Sequence, residues 1–166
     1  MNELRNLIKE LSKVGIKYVV CGGVACVLHG VERTTYDLDL SVDLSEDNLL
    51  KLIELSKRFN LQPRIPEPVE DLLNPEKRKQ WVEQKNALVY TFVGKDSAIQ
   101  MDIFLSYPIT YTELMKNAEI INIDDYKIYI SSINDLLIAK EQIAEPRDKD
   151  TIDIKELKKI LSEKDK

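Results

Sequence analysis

Apolar residues recur at helical spacing from the start of the chain. Leu4, Leu7, Ile8, Leu11 and Val14 fall on one face, which predicts an amphipathic helix over residues 2–14 that Gly15 can end. The period then changes. Ile16 to Cys21 is short, apolar and β-branched, the pattern of a buried strand, and Gly22-Gly23 breaks it. Val24 to His29 predicts a turn or two of buried helix closed by Gly30, and residues 31–36 form a polar connection. Asp37 to Val42 alternates as a half-buried strand does. Ser45 is placed to cap a helix whose apolar side is Leu49, Leu50, Ile53 and Leu55. Residues 60–80 are punctuated by Pro63, Pro66, Pro68 and Pro75 and admit two readings, an insertion packed at a sheet edge or a flap. Short helices fit around Val69 to Leu73 and toward Trp81. Ala87 to Val93 and Ile99 to Leu105 read as a hairpin, and Ile120 to Ile123 and Lys127 to Ile130 as strands around an Asp124-Asp125 turn. From Ser132 onward the pattern is helical, interrupted at Pro146.

These elements predict an α+β fold with a mixed, mostly antiparallel sheet, helices against it, and a C-terminal helical pair facing its acidic end. The 166 residues are read as one domain, with a core of about 16–130 and C-terminal helices at about 132–163. Hydrophobic residues make up 43% and charged ones 32%, as in a globular chain. A formal net charge of −5 argues against holding nucleic acid by bulk electrostatics, which needs an excess of Lys and Arg, although Arg64, Lys77, Arg78 and Lys79 supply local positive charge. No apolar run approaches the ~18 residues of a membrane span, and the charged first residues lack the core of a signal peptide. Cys21 and Cys26 form no metal-binding spacing with the single histidine, His29, and read as buried reduced thiols. A cytoplasmic protein without membrane contact is therefore expected.

The charge is not spread evenly. Asp37 and Asp39 lie two apart on one strand, so their side chains share a face. Two neighbouring carboxylates repel, and a divalent cation is the usual compensation; hard oxygen ligands suit Mg²⁺. Taken alone, the pair equally fits two solvated acids at a strand end. Gly22-Gly23 ends a strand and opens a helix, where bare backbone N–H groups can approach a phosphate, though it also fits a simple turn. Arg33, Thr34 and Thr35 precede the acidic strand and are candidates for phosphate oxygens, or else a polar loop. Asp102 interrupts an apolar strand and shares its face with Gln100 and Phe104; such an acid is costly unless paired or bound to metal.

The run GGVACVLHGVERTTYDLDL, followed by the strand acid Asp102, resembles the minimal nucleotidyltransferases of the DNA polymerase beta superfamily. Downstream, DLLIAKEQIAEPRDKDTIDIKEL resembles their AbiEii-like branch, which includes toxins of toxin–antitoxin systems. The resemblance spans roughly residues 16–160. It implies an enzyme that transfers a nucleoside monophosphate from an NTP to a hydroxyl of an RNA, a protein or a small molecule. Asp37, Asp39 and Asp102 would hold two Mg²⁺ ions with the triphosphate, and Asp102 would also help take the proton of the attacking hydroxyl. Gly22 and Gly23 would cradle the phosphates, with Arg33, Thr34 and Thr35 beside them. Lys140, Arg147, Asp150 and Asp153 would complete the site, Lys140 offsetting phosphate charge and Asp150 orienting it or serving as an additional base. An antitoxin or a second copy of the chain would be the protein partner. The competing expectation is a non-catalytic nucleotide- or protein-binding module, favoured by the short chain, which has little room for a separate acceptor domain.

Overall fold

The computed structural model describes residues 2–166. Its first helix, α1 (Asn2–Lys13), follows the predicted apolar stripe, and Gly15 at φ +75° turns the chain out of it. Strand β1 (Tyr18–Cys21) is buried at every position and runs directly into α2 (Gly22–Leu28). The glycine pair thus forms the first turn of the helix itself. After the polar connection come β2 (Asp37–Val42) and α3 (Glu46–Arg58). Ser45 stands at the N-cap position but makes no side-chain capping bond, and Leu52 takes the buried position on α3 while Leu50 is exposed.

Residues 60–80 are packed at the sheet edge. They form β3 (Leu61–Pro63), a 3-10 turn (Val69–Leu73) and α4 (Pro75–Lys85), which starts from Asn74 as a bonded cap with Pro75 in the first helical position. Leu72 and Trp81 bury the segment, and Trp81 stacks on Tyr90 with ring centroids 5.4 Å apart. Both rings belong to the core. The hairpin of β4 (Val89–Gly94) and β5 (Gln100–Phe104) is present as expected. Next comes a helix that the apolar pattern does not announce, α5 (Tyr111–Asn117), capped by Thr110 through the Glu113 amide. Strands β6 (Glu119–Ile123) and β7 (Tyr126–Ile130) and helices α6 (Ile133–Glu141) and α7 (Asp148–Lys164) complete the chain.

The seven strands form one sheet in the order β3-β4-β5-β2-β1-β7-β6. Pairs β1–β2, β3–β4, β4–β5 and β6–β7 are antiparallel; β1–β7 and β2–β5 are parallel. The fold is the expected α+β arrangement with a mixed sheet. Strand alternation separates two faces. Val20, Leu38, Leu40, Met101, Ile103 and Ile130 point into the main core beneath the helices. Val19 and Cys21 point the other way, where Leu114 of α5 covers them. The acids lie on this second face. Both cysteines are free and buried, and burial pushes Cys21 up to about 12 and Cys26 to about 11. No helix among the described residues is long and apolar enough to cross a membrane.

Candidate active site

Register brings the acids together. The parallel β2–β5 ladder sets Asp39 opposite Asp102 and Asp37 opposite Gln100, while the antiparallel β1–β2 ladder sets Cys21 opposite Asp39. Paired residues project to the same face, so the three carboxylates and the end of β1 share one patch of sheet. Asp37 is exposed, Asp39 half-buried and Asp102 buried. Burial, then repulsion from Asp102 and Asp37, pushes Asp39 up to about 7; Lys140 and Lys149 pull it the other way. Lys149, which has no place in the predicted site, therefore contributes to its field.

Asp102 is held on both oxygens. Thr91 Oγ1 donates to Oδ1 at 2.5 Å and Gln100 Nε2 to Oδ2 at 3.2 Å. Beside Asp39 lies the glycine turn. Gly22 sits at φ +59°, and a β-carbon there would overlap the Asp39 carboxylate, so both conformation and space demand glycine. A β-carbon on Gly23 would lie 2.8 Å from Thr35 Oγ1 and 3.1 Å from Arg33 Nη2. These two predicted phosphate-contacting side chains therefore stand over the bare backbone of Gly23. Thr34 does not join them. It is exposed, and together with Arg33, Thr35 and Tyr36 it lines an apolar cleft of 330 Å³ walled by Val24, Val27 and Leu28.

The C-terminal helices deliver the remaining predicted residues to the same place. Asp153 is fully buried on α7, and its Oδ2 accepts from Arg33 Nη1 at 2.5 Å and pairs with Lys140 Nζ at 2.9 Å. Its Oδ1 is buried with no hydrogen-bond partner among the described residues. Lys140 also meets Asp150 at 3.4 Å, and Asp150 accepts from the backbone and side chain of Arg147. Burial opposes ionisation of Asp150, but the Arg147 hydrogen bonds and the Lys140 charge overcome it and bring the carboxyl down to about 2. Asp150 thus both orients Lys140 and caps α7. The basic stretch of 64–79 is tied partly to its own segment. Lys77 pairs with Asp71, and Arg78 donates to the Leu72 carbonyl.

The donor set is chemically suited to a hard divalent cation, being three carboxylates on one face at a strand end. The side chains are not drawn into a ready-made cluster: among the described residues no three His, Cys, Asp or Glu groups are gathered to hold a metal. Uncompensated carboxylates repel, and Asp102 is turned to its own hydrogen-bond donors.

Neither a family model nor a curated protein sequence matches the chain. Solved structures do. The lincosamide antibiotic adenylyltransferase LnuA, with lincomycin bound, superposes at TM-score 0.64 and 14% identity, with 96% of each chain covered. An antigenic nucleotidyltransferase-like protein from Paracoccidioides brasiliensis gives 0.58 and 18%, over 94% of this chain and 75% of that one. JHP933 from Helicobacter pylori gives 0.53 and 15%, over 95% and 64%. The fold is that of the nucleotidyltransferases.

Proposed function

We propose that this chain transfers a nucleoside monophosphate from an NTP to a hydroxyl acceptor, with divalent cations, Mg²⁺ by preference, held by Asp37, Asp39 and Asp102. The observation that carries this reading is the placing of Asp39 opposite Asp102 in a parallel ladder, with the Gly22 turn against Asp39. The cations would neutralise triphosphate charge and polarise the α-phosphate.

The protein's own groups divide the remaining work. The turn at Gly22 and Gly23 is assigned to the β- and γ-phosphates, and Arg33 and Lys140, which share Asp153 Oδ2, offset their charge. The acceptor oxygen bonds to the α-phosphorus, the bond to the β-phosphate oxygen breaks in line, and pyrophosphate leaves with the electron pair. Asp102 takes the acceptor proton on a lone pair left free by its two hydrogen bonds. Most of the rate then comes from positioning and fixed charge.

A small hydroxyl-bearing molecule is the favoured acceptor class, because LnuA, an antibiotic adenylyltransferase, matches this chain over 96% of both lengths and so has little room for an added acceptor domain. ATP is the first donor to try. The placing of Lys140, Asp150 and Asp153 on two C-terminal helices, with Arg147 at the N-cap of the second, keeps an AbiEii-like toxin, acting on RNA or protein and answered by an antitoxin, as the second candidate. The test is incubation of α-labelled NTPs with Mg²⁺ and, in turn, small hydroxylated compounds and cell extract. Label in an acceptor, lost in Asp102→Asn, supports the proposal. Calorimetric NTP binding without any label transfer would identify a non-catalytic module, and no binding at all would refute both.

A further inference from the structure

Asp102 belongs to a chain of hydrogen bonds with a built-in direction. Arg64 lies just past the edge strand β3 and its amide donates to the Thr91 carbonyl at 2.9 Å, which docks it on β4. Its Nη2 donates to Gln100 Oε1 at 2.5 Å, Gln100 Nε2 donates to Asp102 Oδ2 at 3.2 Å, and Thr91 Oγ1 donates to Asp102 Oδ1 at 2.5 Å. A guanidinium can only donate, so Arg64 requires the oxygen of the Gln100 amide to face it. The NH₂ end is thereby turned to Asp102. Without Arg64 the amide keeps only its bond to Asp102 and loses the contact that fixes its rotamer, so its aim at the carboxylate loosens. Gln100 also stands opposite Asp37 in the ladder, so its orientation bears on the whole acidic patch.

We propose that Arg64, Gln100 and Thr91 are positioning residues for the Asp102 carboxylate, with Arg64 acting through the amide of Gln100. The inference rests on the nucleotidyl-transfer reading of the site. Its physical content is that a ligating carboxylate is aimed by its hydrogen-bond donors, and loss of such partners typically weakens metal binding or activity about 10- to 100-fold. Arg64 is exposed, so its replacement leaves the core untouched.

The test uses the full chain and two readouts. Mn²⁺ binding in the presence of a non-hydrolysable ATP analogue is followed by electron paramagnetic resonance. The side-chain amide resonances of Gln100 are followed in the metal-free protein. Arg64→Ala, Gln100→Leu and Thr91→Val are expected to weaken Mn²⁺ binding about tenfold or more. Arg64→Lys and Thr91→Ser, which keep a donor, recover most of it. Arg64→Ala also shifts the Gln100 amide signals, and in turnover it lowers kcat more than it raises KM for the nucleotide. If Arg64→Ala binds Mn²⁺ as the wild type does and leaves the Gln100 signals in place, while Asp102→Asn loses binding, this inference alone fails. If the wild type binds no Mn²⁺, or Asp102→Asn binds it equally well, the parent reading fails with it.

Discussion

Two glycines one residue apart answer to different constraints. Gly22 is held at positive φ against the Asp39 carboxylate, whereas Gly23 has no positive φ and lies under Thr35 Oγ1 and the Arg33 guanidinium. Gly22→Ala is expected to cost about 1–2 kcal/mol from the left-handed backbone alone, with the clash added, read as a lower urea midpoint. Gly23→Ala should lower the urea midpoint less than Gly22→Ala yet bind triphosphate more weakly in calorimetry, because the methyl displaces Thr35 and Arg33 over the turn. Asp153 is the most committed side chain in the molecule, being fully buried under two cations. Asp153→Ala takes the carboxylate from Arg33 and leaves Lys140 with Asp150 alone, and a loss of about 3 kcal/mol in denaturant unfolding is the expected outcome. The candidate carboxylates were legible in the chain because an acid inside an apolar run is conspicuous. Thr91 was not, since a threonine in a strand is ordinary until the β4–β5 register sets it opposite Asp102.

Among the elements, α5 and the start of α7 decide how the acidic face is finished. Helix α5 is seven residues long with a single fully buried side chain, Leu114, so periodicity has almost nothing to report. Its legible signal is the Thr110-x-x-Glu113 cap, which is local chemistry rather than pattern. Leu114→Ala should cost about 2–5 kcal/mol in thermal or urea unfolding, because the cavity opens directly onto Val19 and Cys21. At α7, Asp150 has a folded-state pKa brought below its usual value to about 2. Its contribution is therefore fully present above the unfolded value near 4 and is lost as pH falls toward about 2, a change of roughly 2 kcal/mol. Unfolding measured across that window should show the loss, and Arg147→Ala should flatten it. Residues 60–80 show the reverse case, where prolines suggested irregularity but burial of Leu72 and Trp81 fixes the segment in place.

At the scale of the whole molecule, an NTP bound as proposed would tie together the acids, the glycine turn and the C-terminal helices. With NTP and Mg²⁺ at 100 times the dissociation constant, the stabilisation is about 2.7 kcal/mol. For a domain of this size that is a rise in Tm of about 5–10 °C. Differential scanning fluorimetry should show it for the wild type and not for Asp39→Asn, and an equal shift in both would remove Asp39 from the site. What the amino-acid order determined by itself was whatever depends on near neighbours: strand or helix from the period of apolar residues, the shared face of Asp37 and Asp39, and the oddity of Asp102. Only the tertiary structure decided which strands lie side by side. Seven strands can be ordered in many ways with the same alternation, and pairing is settled by how the whole core closes. That choice put Asp102 opposite Asp39, hung Arg33 and Lys140 on one buried carboxylate, and linked Arg64 through Gln100 to the third acid.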